Sequence, residues 1–163
     1  MVLECVWEFF ARPRWVNPTL KAFEAIGYRA VVHGQKSWNG VAILSRHPLE
    51  LTQTGLAGQE DFGARLITAR AGDLDFTTVY CPNGKNLEHA DYSRKLEWFD
   101  TLAAYWKQQN DPDRATILCG DFNVCPTALD SWSGERVEGE IFHTSAERER
   151  IQQLYGLGLV DLY

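Results

Sequence analysis

The chain has 163 residues, of which 45% are hydrophobic and 12% aromatic, a composition that suits one folded domain with a substantial core and excludes a disordered chain. A formal net charge of −6 excludes a global basic field for nucleic acid. It leaves open a local basic groove, and several acidic residues suit a divalent metal.

Cys5, Cys81, Cys119 and Cys125 show no C-x-x-C spacing and no paired His motif, so a reduced, cytoplasmic compartment is expected rather than a disulfide framework. The apolar start, residues 1–11, is interrupted by Glu4 and Glu8 and lacks a basic n-region and a cleavage site, so it does not read as a signal peptide. No run approaches the length of a membrane span. Asn17-Pro18 reads as the N-cap and first residue of a helix through Ile26 that Gly27 ends. Strands follow at Tyr28–His33 and Gly40–Ser45, then a Gly-rich acidic loop over Thr52–Gly63. Leu66–Arg70 and Leu74–Tyr80 read as strands joined by Ala71-Gly72-Asp73.

Tyr92, Leu96, Phe99, Ala103 and Trp106 recur at helical spacing, predicting an amphipathic helix whose Trp and Phe belong to a core. Lys95 is expected on its exposed side. Ala115–Cys119 reads as a buried strand ending at Gly120, Thr144 and Glu147 as a capping box for a helix carrying Ile151 and Leu154, and Leu159–Leu162 as a last strand. The mixture, without a strict βαβ rhythm, predicts an antiparallel or mixed sheet faced by helices, an α+β fold.

The stretch with chemical content is ATILCGDFNVCPTALD, residues 115–130. An apolar strand delivers Gly120 and then Asp121 and Asn123, two residues apart. In an extended chain such positions share a face, so a carboxylate and a carboxamide oxygen converge at the sheet edge. Hard cations such as Mg²⁺ take oxygen ligands of this type, and a carboxylate there can deprotonate water. An Asx-rich turn closing a strand explains the same residues without any chemistry.

The context decides between them. G-D-F-N-x-x-P-T-x-x-D after an I-L strand closely resembles the G-D-[FM]-N-x-x-P-x-x-x-D signature of the exodeoxyribonuclease III family, AP endonuclease/exonucleases of the endonuclease/exonuclease/phosphatase superfamily. GYRAVVHGQKSWNGVAILSR (27–46), ARLITA (64–69), TTVYCPNG (77–84), YSRKLEWFDTL (92–102) and TSAERERIQQLYGLGLVDLY (144–163) resemble further segments of that family in the same order. The resemblance implies Asp121 as acid or base and metal ligand, and Asn123 as a second ligand that orients phosphate and metal water. It implies Tyr80 as the phenol at the scissile phosphate and Asn83 and Gly84 lining the same loop. Lys36, Trp38 and Arg65, with Asn83, are the implied DNA contacts.

The implied fold is a partial four-layer α/β/β/α sandwich, DNase I-like, without the family's N- and C-terminal strands. Residues 1–17 form a non-matching segment and 18–163 an incomplete domain. The family's L-Q-E segment, with its metal-binding Glu, has only a faint echo in Leu3-Glu4. The S-D-H-x-P segment, with its His, has no counterpart, and His33, His47, His89 and His143 read as surface or loop residues. An oligomer or the missing segments would cover exposed sheet edges. The implied cofactor is Mg²⁺, with Mn²⁺ the alternative, and the implied partner is double-stranded DNA at abasic sites or 3′ ends, with no membrane. Three functions follow: DNA phosphodiester hydrolysis in repair, a catalytically dead remnant that retains DNA binding, or hydrolysis of another superfamily substrate. The G-Q-K-S-W-N-G-V-A segment favours DNA.

Overall fold

Apolar residues two apart give a strand one face to bury, and in this protein two sheets close on such faces. The computed structural model describes residues 3–6, 13–36, 39–109, 111 and 113–162, with side chains described from residue 18 onward within those ranges. The chain divides into two compact units, Met1–Tyr80 with Asp111–Asp121, and Cys81–Asn110 with Phe122–Tyr163.

The first unit holds β1 (Leu3–Val6), α1 (Pro13–Ala25), β2 (Arg29–Gly34), β3 (Gly40–Ser45), β4 (Glu50–Thr54), β5 (Leu66–Ala71), β6 (Leu74–Tyr80) and β7 (Ala115–Asp121). One sheet has the order β1-β3-β2 and the other β4-β5-β6-β7. Among the described residues every pairing is antiparallel except β6 with β7, which is parallel. Val41 and Ile43 from β3 meet Ile67, Ala69 and Phe76 from the second sheet in a buried cluster. Ala42 and Leu44, on the opposite face of β3, are buried as well, which explains why GVAIL is continuously apolar. Full burial of each large side chain contributes about 1.5–3 kcal/mol. Gly72 (φ 61) makes the two-residue turn between β5 and β6.

Several features of this unit differ from the sequence reading. Helix α1 begins at Pro13, not Pro18; Pro13 supplies its own N-terminal start, and Pro18 sits inside the helix at the cost of one backbone hydrogen bond. Strand β1 occupies part of 1–17, where no strand is read from the sequence, and pairs with β3. Strand β4 and a single 3-10 turn at Glu60–Phe62 replace the expected loop; β4 is an exposed polar edge strand with a bulge between Leu51 and Gln53, so it lacks an apolar alternation to betray it. Strand β7 is not fully buried but half-exposed, because among the described residues it pairs with β6 on one side only.

The second unit holds α2 (Ala90–Gln109) and α3 (Ser145–Gly156), with 3-10 turns at Ala128–Asp130 and Gly134–Val137 between them. The two helices are tied by Tyr92 Oη to Thr144 Oγ1 (2.7 Å) and Arg150 Nη2 to Asp100 Oδ2 (3.1 Å). The capping box forms as expected, with Thr144 Oγ1 accepting from the Glu147 amide and Glu147 Oε2 accepting from the Thr144 amide. Ile151 and Leu154 are buried. The buried stripe of α2 is Lys95, Trp98, Phe99, Leu102 and Trp106, so the helix is rotated from the expected face and Lys95 points inward. Leu159–Leu162 forms no strand, having no ladder partner among the described residues. His143 lies in a loop, as expected, but is buried, and His33 is half-buried within β2. Cys81, Cys119 and Cys125 form no disulfide with one another. Among the described residues, no helix is long and apolar enough to cross a membrane.

Candidate active site

The C-terminal ends of two adjacent parallel strands are where a sheet hands its chain to site-forming loops. Here those strands are β6 and β7, and their register pairs Tyr80 with Asp121 and Val79 with Gly120. Gly120 has φ 132, and a Cβ at this position would overlap the backbone of Val79. The glycine therefore serves less as the sharp turn expected than as a gap that lets β7 lie against β6, which sets Asp121 beside Tyr80.

Tyr80 is held from its other side by Arg65. The Tyr80 amide donates to Arg65 O (2.8 Å), and Arg65 Nη1 donates to Tyr80 O (3.0 Å). Arg65 Nε donates to Phe62 O (2.9 Å), and the guanidinium lies 4.8 Å from the centroid of the Tyr80 ring. A cation over an aromatic face contributes about 0.5–1 kcal/mol where water reaches it. These contacts make Arg65 first a support for Tyr80. The loop with Lys36 is tied to the same neighbourhood, since Gln35 Oε1 accepts from the Ala64 amide (2.8 Å) and Asn39 Nδ2 donates to Phe62 O (3.4 Å). Lys36 is exposed. Trp38 lies outside the described residues, and of Glu4 only the backbone, in β1, is described.

In the second unit Asn123 departs from the extended geometry expected of it. The strand ends at Asp121, and Asn123 takes the left-handed conformation (φ 50), which asparagine adopts more readily than most residues. Its Nδ2 donates to Cys81 O (2.8 Å) and its own carbonyl accepts from Lys95 Nζ (2.7 Å). The argument that positions two apart share a strand face therefore does not apply to Asp121 and Asn123. Asn83 is exposed, with its Oδ1 accepting from the Lys85 amide (2.9 Å) and its carbonyl from Lys95 Nζ (3.4 Å). The sequence places Lys95 on the exposed side of its helix and Glu147 only in a capping box, whereas the two form a buried ion pair whose ammonium also bonds the carbonyls of Asn83 and Asn123. A Lys-x-x-Trp-Phe pattern on a helix, with the Lys on the same stripe as the aromatics, is the signal that betrays it.

The available donors fit a hard cation sparingly. Among the described residues no group of three or more His, Cys, Asp and Glu comes together. Mg²⁺ commonly takes one or two carboxylates and completes its shell with water and phosphate, so the single carboxylate of Asp121 meets the lower limit.

Comparison with known proteins gives this geometry its context. The Endonuclease/Exonuclease/phosphatase family matches residues 4–156. The chain is 28% identical over 152 residues to exodeoxyribonuclease III of Haemophilus influenzae, covering 86% of this chain and 57% of that protein. It is 31% identical over 139 residues to the DNA repair nuclease APEX1 of Danio rerio, covering 83% and 44%. Among solved structures, an AP endonuclease from Archaeoglobus fulgidus superposes with TM-score 0.88 at 29% identity, covering 98% of this chain and 61% of the other. A 3′ phosphatase, NExo, from Neisseria, bound to a product DNA hairpin, gives 0.87 at 30% identity, covering 98% and 62%. The chain thus spans less than two thirds of the length of these relatives, and its fold is the partial α/β/β/α, DNase I-like sandwich expected. With the motif order, the fold and the family match in agreement, this chain belongs to the endonuclease/exonuclease/phosphatase family.

Proposed function

We propose that the chain is a metal-dependent DNA phosphodiester hydrolase of the repair type, acting in the cytoplasm on duplex DNA at abasic sites or 3′ ends. The observation that carries this reading is the in-register pairing of Tyr80 and Asp121 at the ends of parallel strands. A phenol donor and a carboxylate acceptor side by side are the two groups that in-line attack on a phosphodiester uses. Asp121 takes the proton of the attacking water at a carboxylate oxygen, or returns one to the leaving oxygen. The Tyr80 phenol donates a hydrogen bond to a non-bridging phosphate oxygen as charge builds there. Its ring is kept in place by Arg65. Asn123 orients the phosphate through its carboxamide. Lys36, Trp38, Arg65 and Asn83 form the DNA contacts, and with a net charge of −6 the electrostatic attraction is local, carried among these by Lys36 and Arg65.

Asp121 and Asn123 are the residues that would hold Mg²⁺, or Mn²⁺ in its place, and the ion when bound neutralises charge on the phosphate. The test is incision of an abasic-site duplex and of a recessed 3′ end by this chain, with Mg²⁺ and with EDTA. Mg²⁺-dependent cleavage, abolished by Asp121→Ala and lowered about 10²–10³-fold by Tyr80→Phe, is expected. Cleavage that ignores EDTA or survives Asp121→Ala would overturn the assignment. Binding of duplex DNA without cleavage would make the chain a DNA-binding remnant. Cleavage of a non-nucleic phosphodiester alone would move the substrate elsewhere in the superfamily.

A further inference from the structure

Lysine and glutamate are rarely fully buried, and burying such a pair contributes little net stability compared with apolar residues of the same size. Lys95 of α2 and Glu147 of α3 are nonetheless both wholly inaccessible and bonded to each other, Nζ to Oε1. Stability alone is therefore a poor reason for the pair, and the acceptors around the ammonium suggest a better one. Lys95 Nζ has three N–H donors, and the acceptors around it among the described residues include Glu147 Oε1, Asn123 O (2.7 Å) and Asn83 O (3.4 Å). Two of these are main-chain carbonyls of residues assigned above to phosphate and DNA. The ring of Phe142 lies 4.8 Å from the same nitrogen.

Glu147 is itself anchored. Its Oε2 accepts from Thr144 Oγ1 (2.8 Å) and from the Thr144 amide (3.1 Å), and Thr144 Oγ1 meets Tyr92 Oη, one turn before Lys95 on α2. The start of α3 thus fixes the carboxylate, the carboxylate fixes the ammonium, and the ammonium fixes two loops. Asn123, in its left-handed conformation, then has both its carbonyl and its carboxamide nitrogen committed.

We infer that Lys95, held by Glu147, is a positioning residue that sets the loops bearing Asn83 and Asn123 in their working conformation. The catalytic half of this inference rests on the nuclease reading, whereas the structural half does not. The test uses the full chain and the variant Lys95→Met/Glu147→Leu, which removes both charges and keeps the volume filled. Amide hydrogen exchange would be measured at 83–85 and 122–125, and kcat and KM on an abasic-site duplex with Mg²⁺.

The expected result is cooperative unfolding like that of the wild type, exchange at those loops faster by about tenfold or more, and kcat lower by about 10²-fold with KM within about twofold. Wild-type exchange protection in the loops, or loosened loops with an unchanged kcat, would overturn it. Should the double variant not fold, Glu147→Gln decides. Gln still completes the capping box but lacks the charge that holds the ammonium, so kcat should fall without a change in KM. If the wild-type chain does not cleave DNA, the proposed function fails, and the exchange measurement alone judges the positioning role.

Discussion

Gly120→Ala isolates what the close backbone approach of β7 to Val79 is worth. Two penalties combine at this position. The φ of 132 lies where L-residues are strained, which costs about 1–3 kcal/mol. The added Cβ also overlaps Val79 N, C and O in the neighbouring strand, and main chain cannot swing aside as a flexible side chain can. Separating β7 from β6 to make room sacrifices ladder bonds as well, so we expect a total of about 3 kcal/mol or more. For a chain of this size that is roughly 6–12 °C in Tm, and a large fraction of a typical stability of about 5–15 kcal/mol. The control is Gly72→Ala. Gly72 also has a positive φ (61), but nothing lies within 4 Å of where its methyl would sit, so it should lose about 1 kcal/mol through strain alone. Urea unfolding of both variants, followed by circular dichroism, gives the two losses. Equal losses, or a Gly120→Ala loss below about 0.5 kcal/mol, would refute the claim that backbone proximity at Val79 sets the β6–β7 pairing.

Thr144→Ala removes one half of a capping box and the hydroxyl that meets Tyr92, and should cost about 1–2 kcal/mol, read as a lowered urea midpoint. Burial pushes His33 below its ordinary value of about 6.5, so as pH falls the unfolded chain takes up a proton before the folded one does. Stability should therefore decline as pH drops below about 6.5, and His33→Gln should show a smaller difference between urea midpoints at about pH 7.5 and about pH 5.5. An identical difference in wild type and variant would exclude His33 as the source. Arg65→Met should lower cleavage through a displaced Tyr80 even where DNA affinity at high salt is unchanged, because its hydrogen bonds run to Phe62 O and Tyr80 O.

What can be read from the sequence follows from where the physics is local. Gly40–Ser45 and Leu74–Tyr80 are legible to the residue because apolar strands between turn formers are a short-range signal. The Thr144–Glu147 box is legible for the same reason. Strand β4 is not, since Glu50, Thr52, Gln53 and Thr54 gain their strand state from pairing with β5 rather than from their own pattern. Lys95 misleads because a charged residue in a helix is ordinarily solvated, and its burial depends on Glu147, 52 residues away. Asp121 and Tyr80 stand out through motif resemblance, yet their adjacency comes from a parallel ladder that no local pattern reveals. Asn123 stands out in the same way, while its left-handed backbone contradicts the extended geometry expected of it.

The Val79–Gly120 contact has a further consequence for how the gene can change length. A slip of β7 by one residue in either direction would bring Cys119 or Asp121 into the backbone conformation of Gly120, where a Cβ overlaps Val79. Insertions and deletions should thus be absorbed in the exposed turns at 128–137, where Leu129 and Trp132 are almost fully solvated. A single codon gained or lost within 115–121 would instead force a choice between a broken ladder and a separated Tyr80 and Asp121. The strand is an alignment gauge with one permitted setting.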